Sequence, residues 1–191
     1  ADLLQPELKG KIAMGDPTAS SSANAELTNM LLVMGEKPYD DKAWEWVAKF
    51  VDQLNGTILS SSSQIYKATV DGEYAVGVTY EDPAVTLLQD GATNVRVIYP
   101  KEGAVWLPGG VSIVKNAPHM ENAKKFVDFL ISEEGQKLLA DTTIRPVITS
   151  IENTSKFMKP FSEINVAYED IKYCAEHRKE WQEKWTELVT K

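Results

Sequence analysis

Thr18, Ser20, Ser21 and Ser22 stand together between an apolar run, KIAMG at residues 11–15, and a helical pattern. A helix start exposes unpaired N–H donors and the positive end of the helix dipole, so it stabilises an anion without help from Lys or Arg. Serine and threonine hydroxyls there add neutral donors. One serine is enough to cap a helix, so the same turn also reads as one cap with solvated neighbours. A second cluster, residues 60–63, precedes another helix and reads first as capping, with Ser62 retained as a ligand-binding candidate. The third polar turn is Thr79, Tyr80, Glu81 and Asp82. A phenol beside a carboxylate can ligate a hard trivalent cation, hydrogen-bond sugar hydroxyls or pair with an ammonium. Glu81 and Asp82 are equally first-turn acids that favour the helix dipole, and Asp82 is assigned to that role.

No other residues form a catalytic set. His119 and His177 have no partner constellation, and Cys174, the single cysteine, lies on an apolar helical stripe as a small buried residue. Two histidines and one cysteine exclude the Cys/His type of metal site, and no metal or cofactor is expected. No nucleophile, base and orienting group come together, so the chain is not expected to be an enzyme. A small α/β phosphatase or transferase is the alternative of that class, with Asp16 and Asp82 as its only acidic candidates. The 191 residues carry a formal charge of −8 and no Lys/Arg stripe, which excludes nucleic acid as an expected partner. No apolar run approaches the roughly 20 residues of a membrane span. The opening ADLLQPELKG lacks the pattern of a signal peptide, so the sequence reads as cytosolic or as the interior of an exported protein.

The elements that must position the three turns alternate between strand and helix. Strands are predicted at residues 11–15, 57–59, 74–80, 95–100 and 111–115. Each of the first three leads through a polar turn into a helix. A helix capped by Asp40 runs to Gly56 with Trp44, Val47, Val51 and Leu54 on one face, and further helices follow Pro118, Ser132 and Ala167. This alternation predicts an α/β fold with a largely parallel sheet. Ligands of such sheets lie beyond the carboxyl ends of the strands, where the three turns belong.

LKGKIAMGDPTASSSA (8–23), DGEYAVGVTYED (71–82), YPKEGAV (99–105) and NAPHMENAKKFVDFLISEEGQKLLA (116–140) resemble the solute-binding proteins of bacterial ABC importers, in the group that takes ferric iron, phosphonates and sugar phosphates. The resemblance implies a type II periplasmic binding protein fold, with one complete lobe over residues 1–104 including hinge strands. Residues 105–191 would be a return segment and C-terminal helices belonging to the other lobe. It implies that an N-terminal portion is absent, to be met as a separate piece or replaced by an exchange dimer. It also implies a periplasmic or extracellular protein that reaches the membrane through ABC permease subunits. By resemblance, Thr18, Ser20, Ser21, Ser22, Ser62, Thr79, Tyr80 and Glu81 would hold a small anionic organic ligand, a phosphonate or phosphate ester such as a sugar phosphate. Ferric binders carry two adjacent tyrosines where this sequence has Tyr80 and Glu81; ferric iron on that pair is the alternative.

Overall fold

The computed structural model describes residues 2–191. Within it the described residues form two compact units, residues 2–105 with 165–191, and residues 106–164.

In the first unit β1 (Ile12–Ala13) lies parallel to β2 (Val76–Gly77), with Ile12 opposite Val76 and Ala13 opposite Gly77. On the other side of β1 a parallel bridge joins Gly15 to Leu59. Leu59 donates to the Met14 carbonyl at 2.9 Å and accepts from Asp16 N–H at 2.9 Å. The order is therefore the Leu59 segment, β1, then β2, with β1 buried in the middle. A strand buried on both faces reads as an unbroken apolar run, as residues 12–15, IAMG, do.

Helix α1 (Ser21–Val33) follows β1, and α2 (Asp41–Leu54) lies beside it. The predicted Asp40 cap is present, its carboxylate accepting from Ala43 N–H at 2.9 Å and Lys37 N–H at 2.9 Å. These backbone donors, Ala43 first, hold its carboxyl below the usual range. Leu27, Leu31, Trp44, Val47, Phe50 and Leu54 form the core with Ile12 and Met14. Helix α3 (Ser62–Val70) and helix α4 (Glu81–Gln89) then follow the Leu59 segment and β2.

Two more paired strands, β3 (Ala104–Val105) and β4 (Val166–Ala167), lie where the chain leaves the first unit and where it returns. The last helix, α7 (Ile171–Val189), packs on this unit. The reason is its apolar stripe: Cys174, Trp181 and Trp185 complete the core, and Trp185 is only 1% exposed. Burial and the surrounding carboxylates raise the pKa of Cys174, whose sulfur lies 3.2 Å from the Tyr39 hydroxyl. It is an inert packed thiol.

The second unit carries α5 (Met120–Ile131) and α6 (Glu133–Ala140), with Ser132 capping α6 through a 3.1 Å bond from Gly135 N–H. Gly135 is required here, since an added Cβ would lie 2.1 Å from the Phe129 carbonyl oxygen. Its centre is the buried Gln136. That side chain donates to the Leu130 carbonyl at 2.7 Å and accepts from Val147 N–H at 2.7 Å, tying α5 to the loop after α6. Gln136→Ala leaves both groups unpaired and should destabilise this unit by about 1–3 kcal/mol, read as a lower urea midpoint. Helix α5 has no buried residue, and Phe126, Ile131 and Leu138 are each exposed.

The predicted strands at residues 95–100 and 111–115 are absent among the described residues. Ile98 is 70% exposed and Val114 is 77% exposed. A β-pattern becomes a strand only where a neighbour takes up its backbone hydrogen bonds, and neither segment meets one.

Candidate functional site

The topology brings the three polar turns to one edge. The Leu59 segment, β1 and β2 are adjacent and parallel, so the turns that follow them leave from the same, carboxyl, end. Helices α3, α1 and α4 start there.

The first turn is tightly made. Asp16 accepts from both the N–H and the hydroxyl of Thr18, each at 2.8 Å, so Thr18 is committed to shaping the turn. Ser20 is the cap of α1, accepting from Ala23 N–H at 3.4 Å, and its oxygen lies 2.9 Å from that of Ser22. Ser21 is exposed. The first-turn N–H groups of Ser21 and Ser22 have no carbonyl within the helix to bond. Helix α7 braces the turn from behind, with Gln182 donating to the Pro17 carbonyl at 2.7 Å and to Asn24 at 3.2 Å.

In the second turn Gln64 does the capping: its side-chain oxygen accepts from Ser60 N–H and hydroxyl, both at 3.1 Å, and from Ser61 N–H at 3.3 Å. Ser61 lies 3.2 Å from Ser63 through their hydroxyls. Ser62 is the half-buried first residue of α3.

In the third turn Tyr80 takes the cap position of α4 by its backbone alone, and its side chain is 45% exposed. The Thr79 hydroxyl oxygen is closed off from solvent and bonds to nothing. Glu81 accepts a hydrogen bond from the Tyr99 hydroxyl. Sequence reasoning missed Tyr99, which lies in the YP step ending the apolar run at 95–100. An aromatic hydroxyl directly before the chain turns was the available signal. Together the edge offers first-turn N–H donors, serine hydroxyls, a phenol and an anchored carboxylate. That set suits an anion carrying hydroxyl or amine groups. No three His, Cys, Asp or Glu side chains cluster among the described residues.

The family described as bacterial extracellular solute-binding protein matches residues 1–170. The chain belongs to that family. Members of that family are solute-binding proteins rather than enzymes, which speaks against the phosphatase or transferase alternative. A protein of Haemophilus influenzae is 30% identical over 195 residues, covering 98% of this chain and 54% of its own length. Iron uptake protein A1 of Synechocystis is 31% identical over 161 residues, covering 78% of this chain and 43% of its own. Among solved structures, the periplasmic binding protein AfuA from Actinobacillus pleuropneumoniae, with exogenous fructose-6-phosphate bound, superposes with a TM-score of 0.79 at 25% identity. It covers 99% of this chain and 59% of its own. The fold is that of the type II periplasmic binding proteins, and the chain spans about half the length of the relatives it matches. No described helix is long and apolar enough to cross a membrane.

Proposed function

We propose that this chain belongs to the substrate-binding component of a bacterial ABC importer, working outside the cytoplasmic membrane with permease subunits. We infer that its ligand is a small organic phosphate or phosphonate held at the shared edge of α1, α3 and α4. The observation that carries this reading is the convergence of three helix starts beyond adjacent parallel strands. Their N–H groups and dipoles sum on one anion. Ser20, Ser21, Ser22 and Ser62 would take the anionic group; Thr18 shapes the turn; Thr79, Tyr80 and Glu81 would address hydroxyls or an amine. The bound fructose-6-phosphate of the structural neighbour supports the sugar-phosphate form of the reading. Calorimetry of the chain with fructose 6-phosphate, 2-aminoethylphosphonate and inorganic phosphate tests it: binding of an organic ligand above plain phosphate is expected, and indifference to all three contradicts it.

Ferric iron on Tyr80 and Glu81 is the second reading, favoured by the uncommitted, exposed Tyr80 phenol and by the relative named for iron uptake. Visible absorption on adding ferric citrate separates the two, because tyrosinate-to-iron charge transfer is coloured.

Residues 106–164, whose helices leave Phe126, Ile131 and Leu138 exposed, we assign to the other lobe. Polypeptide corresponding to the part of the relatives this chain does not span would cover them. Light scattering tests this: a monomer is expected, and a dimer points to exchange between copies.

A further inference from the structure

Both carboxylate oxygens of Glu26, in the second turn of α1, are closed off from solvent and hydrogen-bond to nothing. Three residues on, the side-chain oxygen of Asn29 is in the same condition, while its amide donates to the Gly103 carbonyl at 3.3 Å. Spacing of three puts Glu26 and Asn29 on one face of the helix. Val33, one turn further, meets Gly103: a Cβ built there would lie 3.0 Å from Val33 Cγ1 and 3.2 Å from the Ala167 Cβ. That face of α1 therefore seats on the β3/β4 pair, whose ladder includes Ala104 N–H donating to the Asn165 carbonyl at 2.8 Å.

These are the strands by which the chain leaves the first unit and re-enters it. An unpaired carboxylate closed off from solvent, one helical turn from the Asn29 that contacts these strands, is expensive. The elements against α1 carry several charges: Asp41, Lys42, Glu45, Lys49 and Asp52 on α2; Lys101 and Glu102 beside β3; Glu169 and Asp170 beside β4. Helix α7, which reaches α1 through Gln182, adds Arg178, Lys179, Glu180, Glu183, Lys184 and Glu187. None of them acts on Glu26, whose pKa is raised to about 8 with burial as its only cause. Protonation resolves both orphans together, since a carboxylic acid is uncharged and supplies the O–H donor that the Asn29 oxygen lacks.

We propose that Glu26 and Asn29 form a proton-controlled latch: the neutral acid bonds to Asn29 and keeps α1 seated on the β3/β4 pair, and loss of the proton loosens that contact. The latch is independent of which ligand the polar turns take.

Amide hydrogen exchange on the chain at pH 6 and pH 9, corrected for intrinsic rates, tests it at Ala104, with Phe50 of α2 as the reference. If the opened state restores an ordinary carboxyl, linkage makes Ala104 protection fall by about a hundredfold between the two pH values. It should stay below that of Phe50 throughout, because the strand pair opens by a step of its own. Glu26→Gln should abolish the fall, while Glu45→Gln, at an exposed acid on α2, should leave it intact. Equal protection at Ala104 and Phe50, or an unchanged fall in Glu26→Gln, overturns the latch. Carbon-13 titration of the wild-type Glu26 carboxyl gives an answer that needs no variant: titration near 8 supports the proposal, and titration near 4.5 overturns it.

Discussion

Glu26→Gln should stabilise the folded chain by about 3 kcal/mol at pH 7, and by almost nothing at pH 4.5. The folded carboxyl holds its proton to about pH 8, against an ordinary value of 4.5. Between those values the unfolded chain has lost the proton and the folded chain keeps it. The folded state therefore binds more protons, and stability falls as pH rises through that window. Above about pH 8 both states are ionised and the loss levels off. Gln keeps the shape of the neutral acid and cannot ionise, so it removes this slope. Urea unfolding at pH 4.5, 7 and 9 reads the effect, and parallel curves for the two proteins would show that Glu26 is not buried as described.

Removing the hydroxyls of the first turn should produce the largest change in binding. In Ser20→Ala/Ser21→Ala/Ser22→Ala, hydrogen bonds to a charged group are lost, each contributing about 1.5–3 kcal/mol. Ser20 and Ser22 share one contact, 2.9 Å apart, so the three hydroxyls do not act independently. A loss of about 3 kcal/mol, more than a hundredfold in affinity for fructose 6-phosphate, is expected. The backbone donors remain, so binding should weaken without vanishing. Folding should survive, since Ser20 gives α1 a cap contact of 3.4 Å and loss of such a cap costs about 1 kcal/mol. Calorimetry showing unchanged affinity would remove the serines from the ligand and leave Ser20 as a cap only.

The helices were legible because their signals are local. Asp40 and Ser132 announced α2 and α6 by a side chain that bonds three residues away. The apolar stripe of α7 announced a buried Cys174 and Trp181 in the same way. The three polar turns were legible in kind, and their shared edge followed from the strand–turn–helix alternation. Less legible was everything set by distant pairing. Residues 95–100 carry a strand pattern and form no strand among the described residues, whereas Val166 and Ala167, unremarkable in sequence, form β4 because Ala104 and Val105 lie beside them. Tyr99 reaches Glu81 across the fold. Nothing local in the sequence marks Glu26, whose carboxylate oxygens are closed off from solvent in the fold.

The central claim, that the starts of α1, α3 and α4 form one anion site, is tested most directly by a nitrogen-15 NMR titration of the chain with fructose 6-phosphate. The account predicts that the amides of Ser21, Ser22, Ser62 and Glu81 shift together along a single saturating curve, with amides of α5 and α6 unmoved. Shifts confined to one helix start, or appearing elsewhere while these four stay still, would contradict it.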